Sequence, residues 1–415
     1  MRQKKCFDLS EILLPNNNID LEKWSVIACD QFTSQPEYWK QVESFVGNSP
    51  SMLNLVLPEV YLQESKDRLS AIHKNMEDYL ASGLLESGNG ERLILVERTT
   101  QSGIRLGLIG QIDLEQYDYS RGSQTFIRAT EETVISRIPP RVEVRINAKL
   151  ESPHVMLLYD DPACHIVEPL YKKVKNTNPI YDFTLMLNGG KIRGYEIAGK
   201  VAKNVIELFQ KMEKECGGLL FAVGDGNHSL ATAKTCWEKI KSSLDMEQRV
   251  DHPARYALVE LVNLYNASLQ FEPIHRVLFH AKLENFVSYL KEELEKENLV
   301  LEEGEEMILF SKEETYHFSI GNRKTRLPVE IIQKMIDSYI LCNPKVRVDY
   351  IHGKEALEDV VNKNTGCGIL LKSIDKASLF PGIRAGGVLP RKTFSIGHAH
   401  DKRYYLECRS LECEY

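Results

Sequence analysis

The sequence predicts a mixed α/β protein: a catalytic core over residues 1–280 and a C-terminal α+β subdomain over 281–415. Three observations lead there. Short apolar, β-branched runs alternate with amphipathic stretches at helical spacing, which is the pattern of strands packed under helices. Hydrophobic residues make up 43% of 415, enough for one large core or two to three smaller ones. Beyond about residue 283 the chain becomes more charged, although no linker marks the change.

The elements follow in order. The run 24–30, WSVIACD, reads as a buried strand ending on Asp30, and 36–47, PEYWKQVESFVG, as a helix opened by proline at its first turn. Residues 58–82 suit a long amphipathic helix closed by Gly83. Strands come next in RLILVERTT (92–100), RLGLIGQIDL (105–114) and HVMLLYDD (154–161). A helix over 196–216 leads through Gly217 and Gly218 into a strand over 219–223, and a further helix covers about 229–243. RYALVELVNLYN (255–266) is apolar enough for a core strand, with helix as the alternative. LENFVSYLKEELEKENL (283–299) and PVEIIQKMIDSYILCNP (328–344) read as surface helices around short strands. No internal repeat or low-complexity segment interrupts the chain.

Composition excludes several classes of function. A formal charge of -7 gives no electrostatic footprint for DNA or RNA, which is bound by neutralising phosphates with clustered Lys and Arg. The N-terminal apolar stretch is broken by charge and by Pro15–Asn18, and no window reaches the length of a membrane span. A cytoplasmic protein with a small-molecule substrate is expected, with no nucleic-acid or membrane partner; a homo-oligomer is allowed. Nine scattered cysteines, an odd number without a Cys-x-x-Cys pair, are expected to be reduced thiols. Cys408 and Cys413 have no second pair to complete a metal site.

The most informative stretch is FAVGDGNHSLATAKTCWE (221–238). A strand, a loop with Gly224 and Gly226, and a helix with Ser229 as its expected N-cap would aim backbone N–H groups and the positive end of a helix dipole at one point. That suits a phosphate. Gly226 would admit a ligand close to the backbone, Asp225 could hold Mg2+ or a hydroxyl, and His228 could donate to a phosphate oxygen or move a proton. The same residues also suit an ordinary tight turn made by Asp225 and Asn227, with His228 capping a helix. The stretch is neither a Walker loop nor a dinucleotide fingerprint.

GDGNHSLATA resembles the Asp-Gly-His-His-Arg loop of the family called domain of unknown function 1015. Other segments agree in order along the chain: ACDQF with Asp30 resembles the family's Pro-Tyr-Asp, RATEET (128–133) its His-Glu-x-Thr, EPIHR (272–276) its Pro-Thr-His-Arg, and GVLPRKT (387–393) its Met-Pro-x-Lys-Ser/Thr. The loop is also similar to that of ParB/sulfiredoxin-like proteins, among them free serine kinases, which implies a core of that kind. What the resemblance implies is nucleotide-dependent phosphotransfer, with Mg2+ and ATP or ADP, to a small hydroxyl compound such as serine. Two departures matter: Asn227 stands where the family has its first histidine, and Ser229 where it has arginine. Serine cannot replace a bidentate phosphate contact, so another cation or another ligand is required.

Arg276, Arg128 and Lys392, on the family-like segments, and Lys234, near the start of the following helix, are the candidate cations. His275 and Arg276 are placed at a strand start by Pro273 and would line the site. Asp30 is the candidate general base, since phosphoryl transfer to an alcohol needs a carboxylate on the hydroxyl and cations on the phosphate; an Asx turn is its ordinary alternative. Either Glu131 or Glu132 would reach the metal, and Glu132 is named with Asp225 as a ligand. His398 and His400 lie on one face if extended, but HDKR reads as a hairpin turn, and His154, Asp160, Asp161 and His165 fit no standard metal spacing. Two rival functions remain open: a nucleotide-binding regulatory module without turnover, and a metal-dependent hydrolase using His228, His398 and His400.

Overall fold

The computed structural model describes residues 5–33, 35–397 and 399–413. The fold is mixed α/β. The chain forms two compact units, one of Met1–Ala129, Thr133–Leu269 and Gly397–Tyr415, the other of Thr130–Glu132 and Gln270–Ile396.

The first unit is built on a ten-stranded mixed sheet. In order across it run Tyr181–Thr184, Lys191–Ile197, Leu93–Thr100, Gly103–Asp113, Tyr256–Asn263, Met156–Tyr159, Phe221–Asp225, Ile127–Ala129 and Tyr117–Asp118, with Phe7–Asp8 paired to Gly103–Asp113. Alternation along one strand explains the layers. Leu93 and Leu95 belong to a core with Val205, Ile206, Phe209 and Trp237, whereas Ile94 and Val96 belong to a second core with Trp24, Trp39, Val42 and Ile72. Successive side chains point to opposite faces of a strand, so both faces of this sheet are buried under helices. That is why RLILVERTT is a continuous apolar run rather than an alternating one. The helices Gly199–Glu215 and Asn227–Lys241 serve the first core, and Pro36–Val46 and Ser65–Ala81 the second.

One expectation is corrected in this unit, and one is borne out. Residues 24–30 are not a strand of the main sheet: Trp24 ends a one-turn helix, and only Val26–Ile27 pair, with Tyr404–Tyr405. Trp24, Val26 and Ile27 are fully buried, so the apolar run is real but is used for tertiary packing. RYALVELVNLYN is a strand, Tyr256–Asn263, which settles the helix alternative.

The second unit holds a six-stranded antiparallel sheet in the order Thr315–Gly321, Val300–Phe310, Gly366–Leu371, Phe271–Phe279 and Arg347–His352, with Phe394–Ile396 paired to the start of Phe271–Phe279. Leu283–Lys296 and Pro328–Cys342 are helices as expected. Pro328–Cys342 is not a surface helix, however: Val329, Ile331, Ile332, Met335, Ile336 and Tyr339 are all buried. All nine cysteines are free, and among the described residues no helix is long and apolar enough to cross a membrane.

Candidate active site

The loop expected at 224–229 is shorter than its sequence implies. Phe221–Asp225 is a strand that includes Gly224 and Asp225, and the helix Asn227–Lys241 begins two residues later. A register shift makes this possible: Met156 faces Asp225 while Leu157 faces Val223, leaving Gly224 as an extra residue. A Cβ at Gly224 would sit 2.9 Å from the Leu158 side chain, so any larger residue would force Leu158 to shift at this bulge. Gly226 alone makes the turn, at φ +84°, and is the N-cap in place of Ser229. No side chain caps this helix. Its first N–H groups lack intrahelical partners, as at any helix start, and carry the positive end of the dipole.

Around this joint the chain gathers polar groups. The Gly226 N–H donates to Asp225 Oδ1 at 3.0 Å, and Lys402 Nζ lies 3.3 Å from Asp225 Oδ2. Asn227 Oδ1 is buried without a hydrogen-bond partner. His228 Nε2 accepts from the Val134 N–H at 3.2 Å. Burial lowers the His228 pKa to about 4, with Arg141 and Arg137 adding to the effect and Asp30 opposing it. The imidazole is therefore neutral near pH 7 and its Nδ1 carries the proton. Asp30 is brought near His228, though it sits in a turn after Val26–Ile27 and not on a strand end, with Gln31 Nε2 donating to its Oδ1 at 3.1 Å.

Ser229 is not the cap. Its Oγ is 2.8 Å from His154 Nε2, His154 Nδ1 is 2.9 Å from the Tyr405 hydroxyl, and that hydroxyl donates to Cys29 Sγ at 3.1 Å. Burial pushes the Cys29 thiol up to about 11, so it is not a thiolate near pH 7.

Lys402 and Tyr405 come from the segment GHAHDKRYY, which the sequence shows only as a polar turn. Three buried arginines hold it. Arg98 donates to the carbonyls of His400, Lys402 and Gly189, Arg105 to that of Asp401, and Arg403 to Pro153 O and the carboxylates of Glu260 and Glu407. These residues lie far apart in sequence. Only chemistry-bearing residue types, not spacing, could have drawn attention to Lys402, His154 and Tyr405.

The other candidates have partners of their own. Arg128 is buried, and it donates to Thr125 O and to Gly218 O, before the start of Phe221–Asp225, whereas the helix joint lies past its end. Lys234 donates to Leu114 O and pairs with Glu238. His275, Arg276, Glu132 and Lys392 belong to the second unit. There His275 and Arg276 lie within the strand Phe271–Phe279, not at a strand start. His275 Nδ1 accepts from the Leu371 N–H, and Arg276 is fully buried, donating to Gln333 and Ile274 O and stacked 5.3 Å over the Tyr350 ring. Of the two glutamates, Glu131 turns inward and accepts from the N–H groups of Thr393 and Lys392; Glu132 is exposed. Lys392 thus supplies a backbone donor while its side chain is exposed. His398 lies outside the described residues. His400 packs 5.0 Å from the Phe32 ring. No group of three metal-ligating side chains forms among the described residues.

Comparison with solved structures finds weak likeness. A free serine kinase in complex with AMP has a TM-score of 0.38 at 12% identity, over 72% of this chain and 91% of the kinase. A conserved hypothetical protein from Pyrococcus furiosus gives 0.36 at 11%, over 72% of this chain and 94% of that one. SbnI from Staphylococcus aureus, with a C-terminal truncation, gives 0.35 at 9%, over 70% and 82%. No curated protein matches. Residues 13–339 match the family model described as protein of unknown function (DUF1015), and the chain belongs to that family.

Proposed function

We propose that the chain is a nucleotide-dependent phosphotransferase acting on a small hydroxyl compound. The observation that carries this reading is the Gly226 joint: an uncapped helix N-terminus beside the ammonium of Lys402. Backbone donors, a dipole and a lysine converging on one point form a phosphate cradle. Lys402 takes the part of the cation that the Ser229 position lacks, as a point charge in place of a bidentate fork. Mg2+, when bound, would neutralise phosphate charge; Asp225 supplies one carboxylate for it, and such ions keep most of their ligands from water and phosphate. Glu132 has no part in this reading.

The chain's own groups would then act as follows. Lys402 and the N–H groups of residues 227–229 hold the phosphates of ATP or ADP. Neutral His228 donates through Nδ1 to a phosphate oxygen. Asp30 takes the proton from the acceptor hydroxyl as its oxygen bonds to phosphorus, and the bond from phosphorus to the nucleotide oxygen breaks with its electron pair leaving on that oxygen.

The test is equilibrium binding of ATP and ADP to the wild type, Lys402→Met and Asp30→Asn, followed by transfer assays. Loss of one charge-assisted contact should weaken binding of Lys402→Met about tenfold or more. Asp30→Asn should bind normally and lose transfer. Absence of nucleotide binding, or equal binding by Lys402→Met, overturns the reading. Tight binding without transfer to any hydroxyl compound assigns the chain to the regulatory alternative.

A further inference from the structure

Ser229 Oγ and His154 Nε2 lie 2.8 Å apart, and the hydrogen bonds beyond them decide which nitrogen of the ring carries the proton. The Tyr405 hydroxyl has one proton, which it gives to Cys29 Sγ at 3.1 Å. Its oxygen therefore accepts, from the Cys29 N–H at 3.4 Å and from His154 Nδ1 at 2.9 Å. With Nδ1 protonated, Nε2 presents a lone pair to the Ser229 hydroxyl. A hydroxyl donating to a neutral imidazole whose other nitrogen is held by a third group is the arrangement of an activated nucleophile. The chain holds the ring from both sides: the Pro153 carbonyl takes Arg403 Nε at 2.9 Å, and the Val155 carbonyl takes the Glu260 N–H at 3.0 Å. Ser229, His154 and Tyr405 also line a pocket, open to solvent, whose other walls are largely hydrocarbon, from Leu62, Met76 and Val144 among others. His154 is buried and Ser229 only half-buried, so the base is sheltered while the nucleophile is within reach.

We propose that Ser229 is a nucleophile, with His154 as its general base and Tyr405 as a positioning residue, and that this site hydrolyses neutral, predominantly apolar carboxylic esters. The class of electrophile follows from charge. The charged groups on the pocket wall pair with one another, Glu59 with Arg141 and Glu151 with Arg145. A phosphoryl or other anionic group would find no free cation there, whereas an ester requires none. The apolar walls suit its hydrocarbon parts. In the first step Ser229 Oγ bonds to the carbonyl carbon as its proton passes to His154 Nε2, and the carbonyl electron pair moves onto oxygen. The N–H of Ser229 precedes the first intrahelical bond, from Leu230 N to Gly226 O, so the helix does not use it and it can meet that negative oxygen. The pair then returns, the bond to the alcohol oxygen breaks, and the alkoxide takes the proton from Nε2. Water, losing its proton to the same nitrogen, attacks the acyl carbon and releases the acid and the Ser229 hydroxyl.

The test uses the full chain without nucleotide. An alkyl fluorophosphonate is expected to label Ser229, located by mass spectrometry of the digested protein, and p-nitrophenyl butyrate is expected to be hydrolysed. Ser229→Ala and His154→Gln should each lower kcat/KM about a hundredfold or more. Tyr405→Phe, which removes the acceptor for Nδ1–H, should lower kcat with KM little changed. Circular dichroism verifies the folds; if His154→Gln does not fold, labelling of the wild type and the loss in Ser229→Ala decide. No label, a label on another residue, or equal hydrolysis by Ser229→Ala overturns the proposal, and an unchanged kcat in Tyr405→Phe overturns the part given to Tyr405. Labelling of Ser229 in a chain that binds no nucleotide supports the esterase and removes phosphotransfer. An inert Ser229 in a chain that binds nucleotide does the reverse.

Discussion

Lys402 and Arg403 are neighbours in sequence with opposite duties. The Lys402 side chain is partly accessible and meets one carboxylate, that of Asp225. Arg403 is buried between Glu260 and Glu407 and also donates to the Pro153 carbonyl at 2.9 Å. Although burial favours the neutral acid, Arg403 and Arg105 hold the Glu260 carboxyl below its usual range. Removing Arg403 would leave Glu407 with only the Tyr181 hydroxyl and Glu260 with only the more distant Arg105, at 3.7 Å, a defect of the kind that costs about 3–5 kcal/mol when one partner of a buried pair is deleted. Arg403→Met should therefore lower Tm sharply, while Lys402→Met should stay within about 1 kcal/mol of the wild type in stability and lose nucleotide affinity. Calorimetry of the two variants checks this. The opposite ranking would mean that Lys402, not Arg403, anchors the segment. In the sequence these residues are two letters of an apparent turn, because the partners that distinguish them, Asp225, Glu260 and Pro153, are supplied by distant parts of the chain.

At the scale of elements, the helix joint depends on one glycine. Gly226 has φ +84°, and a Cβ there would lie 3.0 Å from Val155 Cα and 3.2 Å from its Cγ2. An alanine would bring the left-handed penalty of about 1–2 kcal/mol together with a contact against backbone, which yields less readily than a side chain. Gly226→Ala is expected to destabilise the chain by about 1–3 kcal/mol and to weaken nucleotide binding as the helix start moves. A variant that is destabilised but binds as before would separate the turn from the cradle. Helices with strong periodicity, such as Pro36–Val46, Leu283–Lys296 and Pro328–Cys342, are legible because their pattern is local. The run at 24–30 misleads for the same reason in reverse: its apolar residues are buried by tertiary contacts, and a buried coil has no period to tell it from a strand. Ser229 misleads because serine's preference for caps yields here to a bond with His154, 75 residues away. Sheet order is beyond local pattern altogether, as in the parallel pairing of Met156–Tyr159 with Tyr256–Asn263.

Across the whole molecule, burial keeps histidines neutral in both units, most strongly His228 and His275 and in the same direction His252. His228 in the first unit and His275 in the second are both lowered to about 4, chiefly by burial; Arg141 and Arg137 reinforce it at His228, and Arg276 and His352 at His275. Both geometries fit a neutral ring, since a ring nitrogen accepts a backbone N–H in each case: from Val134 at 3.2 Å and from Leu371 at 3.2 Å. An unfolded chain titrates these groups near 6.5. Between about pH 6.5 and 4 the unfolded state therefore binds more protons than the folded one, and stability falls as pH falls through that window. Above it the contribution is fully present. Allowing for solvent access, each histidine accounts for on the order of 2 kcal/mol. Carboxylates held low, such as Glu151 and Glu260, add losses as pH falls further, so the wild-type profile alone does not isolate the histidines. The comparison that does is Tm against pH for the wild type and for His275→Gln, which keeps a side-chain acceptor near the Leu371 N–H but cannot be protonated. Its Tm should fall less steeply between pH 6.5 and 4, and the double variant with His228→Gln less steeply still. Parallel profiles in all three proteins would mean that the two rings titrate in the folded state as they do in the unfolded one, and that acid sensitivity belongs to the carboxylates.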